Sequence, residues 1–488
     1  MTALFPLVVY LLLTLGVAVW VQRRAKSGTG GNIVEEYFIG GRSMGGFVLA
    51  MTIIASYTSA SSFIGGPGVA YSLGLAWVLL AMIQVPTTFL TLGVLGKRFA
   101  IIGRRIGAVT ITDFLYARYR SDAVVIICSV SLLIFFAASM VAQFIGGARL
   151  FQAVTGYPYE IGLLLFGMTV VVYTSVGGFR AVVLTDAIQG AVMVVASVVV
   201  FMAALEAGGG MIQCMTTLKE IDPGLITPSG AGGKVPAPML FSFWVLVGLG
   251  ILGLPQTTQR CFGYKDSKSM HNAMMMGTLI IGFLLLFMHL AGVLGRASMP
   301  GLSSGDLIIP SLILELLPPF WAGVFVAGPL AAIMSTVDTM LLLVSAAIIK
   351  DLYIRYRLKN DTSRISPKKL SRMSFGCTMA AGILVFAASF NPPDLLVWIN
   401  LFAFGGLEAV FLWPIILGLY WRKANASGAV FSMIVGLAVF MLLSVFKVPL
   451  GGVHAIVPTL ACSFAAFLMG TRFGAPVSSE VRSQFWGE

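Results

Sequence analysis

The chain has 488 residues, of which 58% are hydrophobic and 10% charged, with a formal net charge of +12. Soluble domains carry about 25% charged residues, and surface-to-volume scaling leaves them a water-facing shell that this composition cannot fill. A soluble fold is excluded; a bilayer accepts the apolar surface, and the length fits many spans rather than one anchor.

Stretches apolar enough to cross about 30 Å of hydrocarbon are predicted, in chain order, at roughly 3–21, 45–70, 74–96, 122–151, 158–176, 182–206, 238–256, 271–297, 318–346, 373–391, 394–419, 427–446 and 454–471. These make an all-α polytopic membrane protein of about 13 transmembrane helices. The first run, Leu4 to Val21, precedes Gln22-Arg23-Arg24 and has no basic residue before it. A cleavable leader carries its positive charge in front, so this run reads as a retained span.

Charge placement tests the count. With the N-terminus outside, Lys219, Lys234, Arg296 and Lys447 fall on outer connections and Arg149 lies within a span. The remaining 26 of the 31 Lys and Arg residues fall inside, as the positive-inside rule demands. Losing or adding one early helix would scramble that split. The expected place is a bacterial inner membrane, N-terminus periplasmic and C-terminus cytoplasmic. Between the sixth and seventh spans, Ala207 to Pro238 reads as an exposed loop. After the ninth, Lys350 to Arg372 reads as a solvated loop near anionic headgroups. Cys128, Cys214, Cys261, Cys377 and Cys462 are far apart with no CxxC spacing, so they read as inert thiols rather than a disulfide or zinc framework.

Helix breakers inside spans are informative, because irregular backbone survives at membrane depth only where protein or a wet cavity lines it. The second span carries Ala55-Ser56-Tyr57-Thr58-Ser59-Ala60-Ser61-Ser62, then Gly65-Gly66-Pro67-Gly68; the seventh carries Gly248, Gly250, Gly253 and Pro255. Five spans separate them, so the two cross in opposite directions. Interrupted helices at matching positions mark an inverted-repeat secondary transporter with its site near the midplane. Close helix packing by small residues accounts for the same pattern. The ninth span adds Ala332, Ser335 and Thr336, with Ser335 three residues after Ala332 on one helical face. Two hydroxyls plus freed carbonyls suit a hard cation; bonds from those hydroxyls to their own helix are the alternative, and these residues alone favour it.

Longer patterns then resemble a known family. Glu36-Tyr37-Phe38-Ile39-Gly40-Gly41-Arg42-Ser43-Met44-Gly45-Gly46, Gly156 through Tyr173-Thr174-Ser175-Val176-Gly177-Gly178-Phe179-Arg180-Ala181, and Gly418-Leu419, Lys423 and Gly428-Ala429 through Gly436 are similar to the sodium:solute symporter family nearly end to end. Ser59 to Gly68, Gln143 to Leu150 and Gly405 to Pro414 look like its pantothenate carriers. The proline carriers have an aspartate where Tyr57 stands and a tryptophan where Ser61 stands.

The resemblance implies a LeuT-like fold of inverted five-helix repeats, 44–206 and 238–420, with 1–43 and 427–488 peripheral. It implies sodium as coupling ion, pantothenate as substrate and no cofactor. Sodium would meet the carbonyls of Ala55, Thr58 and Ala332 and the hydroxyls of Ser335 and Thr336, which reverses the reading from the ninth span alone. Asp186 matches an acidic residue linked to sodium and gating. Asp338 is a second cation site, a proton site or a structural partner. Substrate candidates are Ser59, Ser62, Gln84, Ser139 and Gln143, polar groups on spans expected to line the cavity, each equally readable as helix packing. Arg149 is expected to snorkel; Glu408, His289 and Arg260 are expected to be structural or interfacial. No HExxH, P-loop or GxSxG stands at a membrane face, so an enzyme is not expected, and neither a nucleic-acid nor an obligatory protein partner is inferred.

Overall fold

The computed structural model describes residues 4–25, 35, 39, 42–361, 364–391 and 396–487. Most of the stretch 36–41 lies outside them, as do the side chains of residues 173 and 176–181 within a helix. Helices dominate, and no strand occurs among the described residues beyond an isolated bridge between Met44 and Tyr264.

In chain order the apolar helices are α1 (Leu4–Ala25), α2 (Gly46–Tyr57), α3 (Ser61–Leu73), α4 (Leu75–Ile106), α5 (Asp122–Thr155), α6 (Tyr159–Ala207) and α7 (Ala237–Gly253). Then come α8 (Pro255–Phe262), α9 (Ser267–Ser298), α10 (Pro319–Arg357), α11 (Lys368–Ala388), α12 (Val397–Tyr420), α13 (Ala426–Val445) and α14 (Ile456–Phe473). Among the described residues nine helices are long and apolar enough to cross a membrane, or up to 11 when each bent pair counts as one span. Two shorter apolar helices, Phe5–Val17 and Tyr159–Val172, stand at the expected first and fifth spans.

The fifth and sixth spans form one helical stretch, α6, where two were expected. Its 49 residues measure about 74 Å at 1.5 Å per residue, too long for one crossing. Its two parts also meet different neighbours. Gly162 and Gly167 lie against Ala148 and Phe144 of α5, whereas Gly190 lies against Met51 of α2.

Both predicted interruptions are present. α2 and α3 meet at 71°, and α7 and α8 at 45°. At the first, Thr58 is extended (φ −71°, ψ 132°), and the Ser59 N–H donates to Ser62 Oγ at 3.4 Å instead of continuing the helical ladder to Ala55. Pro67, which lacks an N–H, follows a π-helical turn over Ser61–Gly65, a form typical of functional sites. At the second, Leu254 is extended (ψ 111°) directly before Pro255, because proline disfavours the α region in the residue preceding it.

α10 is the innermost element. Of its most apolar window 94% is buried, against 28% for α11 and 33% for α13. α3 packs backbone to backbone on α9: a Cβ added at Gly292 would sit 2.2 Å from the Pro67 carbonyl oxygen. Gly292→Ala is therefore expected to destabilise the protein by about 1–3 kcal/mol through overpacking, read as a lower melting temperature in detergent.

Two loop expectations change. The connection after α6 carries a helix, Met211–Ile221, and two 3-10 turns. It folds down on the α3–α4 junction, where Gly74 (φ 77°) would put a Cβ 2.0 Å from Leu225 O; only glycine fits there. The basic segment after the ninth span is not wholly a solvated loop. α10 continues as a π-helix over Ala347–Arg357, and Lys350 and Arg355 pair with Asp113 at 3.0 and 2.8 Å. Asp266 caps α9 by accepting from Ser269 N at 2.8 Å, which holds this exposed carboxyl below the usual range.

Candidate functional site

The break at Thr58 faces the middle of α10. Ser335 Oγ donates to Ala55 O at 2.9 Å and to Ala332 O at 3.2 Å. Thr336 Oγ1 donates to Thr58 O at 2.8 Å and to Ala332 O at 2.9 Å. Three carbonyls and two hydroxyls thus converge with no water-facing side; Ala55, Thr58, Ala332 and Ser335 are 0% exposed and Thr336 is 1% exposed. The hydroxyls bond both to their own helix and across to the interrupted one, so the two readings of the ninth span meet in one geometry. Five oxygens without a formal charge suit a weakly charged hard cation.

One helical turn along α10 lies a second polar layer. Arg260 of α8 donates from Nη2 to Ser56 Oγ at 2.8 Å, to Thr339 Oγ1 at 2.8 Å and to Asp186 Oδ2 at 3.3 Å. Thr52 Oγ1 donates to the same Asp186 oxygen at 2.6 Å. Asp338, next to Thr339 on α10, is fully buried. One cation therefore ties both interrupted spans to α6 and α10. Arg260 was expected at an interface or in a structural role; it is 2% exposed and central. The signal was a lone arginine five residues after a helix-breaking proline.

Beyond the break, a cavity of about 40 Å³ opens between α2, α3, α4, α7, α9 and α12, room for about three waters. Ser59, Ser62 and Gln84 line it, with Tyr57, His289 and Asn400. Trp77, Phe243 and Phe404 supply aromatic walls. Ser139 and Gln143 are not on its wall. Ser139 Oγ donates to Asn400 Oδ1 at 2.6 Å, and Gln143 Oε1 accepts from Ala60 N at 2.7 Å. Gln143 thereby satisfies a backbone donor that the break frees. Gln143→Leu is expected to leave that N–H unpaired, costing about 1–3 kcal/mol and impairing transport; uptake and thermal stability measured together check it. Asn400 and His289 were missed as cavity residues, although a polar residue in an apolar span is itself a signal.

Arg149 does not merely snorkel: Nη1 donates to Ser304 Oγ at 3.1 Å and lies 3.7 Å from Asp306 Oδ2. Glu408 is fully buried rather than interfacial, its carboxyl set against Gly250, where a Cβ would come within 2.2 Å of Oε2. Among the described residues no cluster of three or more His, Cys, Asp or Glu side chains forms a metal site.

The model of the sodium:solute symporter family matches residues 37–436. The chain is 51% identical to a sodium/pantothenate symporter of Escherichia coli (strain K12), covering 97% of each chain. It is 48% identical to a protein of that description from Haemophilus influenzae, covering 96% of each. An osmoregulated proline transporter of Bacillus subtilis is 29% identical over 89% of this chain and 88% of its own. Among solved structures, a Na+-coupled sialic acid symporter in a substrate-bound outward-open state superposes with a TM-score of 0.78 at 19% identity, covering 98% of this chain and 99% of that one. Mhp1, a nucleobase-cation-symport-1 family transporter, gives 0.54 at 15% identity over 92% of this chain and 97% of its own. The fold is thus the LeuT-like one that the sequence led us to expect.

Proposed function

Because the chain belongs to the sodium:solute symporter family, we propose that it takes up pantothenate across a bacterial inner membrane, coupled to sodium, by alternating access. The observation that carries the sodium half is the reach of Ser335 and Thr336 across to the carbonyls of Ala55 and Thr58. The solute half is supported by 51% identity to a sodium/pantothenate symporter over 97% of the chain.

In this reading sodium enters among the oxygens of Ala55, Thr58, Ala332, Ser335 and Thr336, turning the two hydroxyl protons outward. That clamps α2 to α10 and sets the angle at which Ser59 and Ser62 meet the solute. Gln84 forms the facing wall, while Ser139 and Gln143 act from behind. Asp186, with Arg260, closes the cytoplasmic side by holding α2 and α8 together, and Asp338 tunes the charge of that closure. The repeats 44–206 and 238–420 then rock against each other, and residues 1–43 and 427–488 stay peripheral. The N-terminus is periplasmic and the C-terminus cytoplasmic. No cofactor and no enzymatic step is required.

Moving one net charge through 100 mV changes the free energy by about 2.3 kcal/mol. One sodium with one pantothenate anion moves none, so a 1:1 carrier draws on the sodium gradient alone. Purified protein in proteoliposomes is expected to accumulate labelled pantothenate only with an inward sodium gradient, independently of an imposed potential. Unlabelled proline should not compete. Uptake that ignores sodium, or that proline blocks, refutes the reading.

A further inference from the structure

The layer behind the cavity fixes which of its groups donate and which accept. Leu285 O can only accept, so the 2.7 Å contact from His289 Nδ1 puts the ring proton on that nitrogen. Nε2 is left as an acceptor on a residue that lines the cavity. It stands close against Gly66, where an added Cβ would come within 2.3 Å of it, so only glycine at 66 leaves room for the ring at this place on the cavity wall. The facing amides have the opposite polarity. Gln84 Oε1 accepts from Tyr57 Oη and Asn400 Oδ1 accepts from Ser139 Oγ, both at 2.6 Å, which leaves their NH2 groups as the free ends.

We propose that His289 recognises a hydroxyl group of the transported solute, accepting its O–H at Nε2, while the amides of Gln84 and Asn400 donate to the solute's carboxylate or carbonyl oxygens. The proposal rests on the pantothenate reading, since that solute carries two hydroxyls, an amide and a carboxylate. A solute without a hydroxyl leaves Nε2 without that partner, and a site built around a hydrogen bond rejects such analogues far more strongly than an apolar pocket rejects a missing methylene.

The test is sodium-driven uptake in proteoliposomes of pantothenate and of its two analogues with one hydroxyl replaced by hydrogen. Wild-type protein is expected to discriminate against one analogue by about tenfold to a hundredfold. His289→Phe should raise the KM for pantothenate by a similar factor and leave that for the disfavoured analogue unchanged, so the preference disappears. His289→Gln, which keeps an acceptor, should retain part of it. Equal weakening of both solutes in His289→Phe, or no discrimination by wild type, overturns the proposal. Should the phenylalanine variant fail to fold, the glutamine variant decides: a reduced preference supports the assignment and an unchanged one overturns it. Wild-type liposomes that accumulate no pantothenate at all would instead sink the transport reading itself.

Discussion

Replacing Ser335 and Thr336 together by alanine is expected to raise the half-saturating sodium concentration about a hundredfold or more and to abolish accumulation at ordinary sodium levels. The two hydroxyls supply two of five converging oxygens, and they are the only side-chain oxygens in the set. Interactions of a neutral oxygen with a charge are worth about 1.5–3 kcal/mol each, and 1.4 kcal/mol is tenfold in affinity. The alanines also leave Ala55 O and Thr58 O without the partners they have across the break. Sodium titration of initial uptake rates measures the first effect. Thermal stability without sodium separates it from the second, which should be small beside the lost ion response. An unchanged sodium requirement in the double variant would show that the ion binds elsewhere.

Arg260→Ala is expected to be the most damaging single substitution, destabilising the protein by about 3–5 kcal/mol, because it strands a buried carboxylate. Asp186 has two described hydrogen-bond donors, Thr52 and Arg260, and loses the charged one. Asp186→Asn should cost less, since Arg260 keeps Ser56 and Thr339. Removing both charges, as in Asp186→Asn with Arg260→Gln, should be milder than Arg260→Gln alone. That non-additivity is the mark of a direct pair. The readouts are melting temperature and the accessibility of a cysteine introduced at the buried Thr339. If the ion pair closes the inner path, the single variants expose that cysteine and the double variant less so. Additive losses would remove the pair from the mechanism.

The expected spans were legible because bilayer thickness imposes a minimum apolar length, and charge asymmetry supplies an independent check on their number. The interruptions were legible for a local reason: Pro255 forces Leu254 out of the helix, and a run of small hydroxyl residues around Thr58 competes with the helical ladder. The likeness to a family came from long spaced patterns, a sequence property by definition. Within the site, however, the decisive contacts join residues far apart in the chain. Ser335 and Ala55 are 280 positions apart, and Arg260 and Ser56 are 204 apart. No periodicity encodes which face of α10 meets which carbonyl.

The same limit explains the differences at the cavity. Ser139 and Gln143 have the composition of lining residues, yet they turn to Asn400 and to the Ala60 N–H, because a freed backbone donor in a dry interior must be satisfied by something. His289 and Asn400 face the cavity instead, a matter of helix rotation that isolated polar residues in apolar spans leave undetermined. The amino-acid sequence by itself determined the membrane class, the places where helices break and the family, while of the 13 expected spans nine to 11 have membrane-crossing length among the described residues. Tertiary packing alone decided which oxygens converge, that Arg260 pairs with Asp186, and which polar groups line the cavity. The physical reason is that hydropathy and backbone propensity act within a few turns, whereas desolvation makes each buried polar group choose a partner across the whole fold.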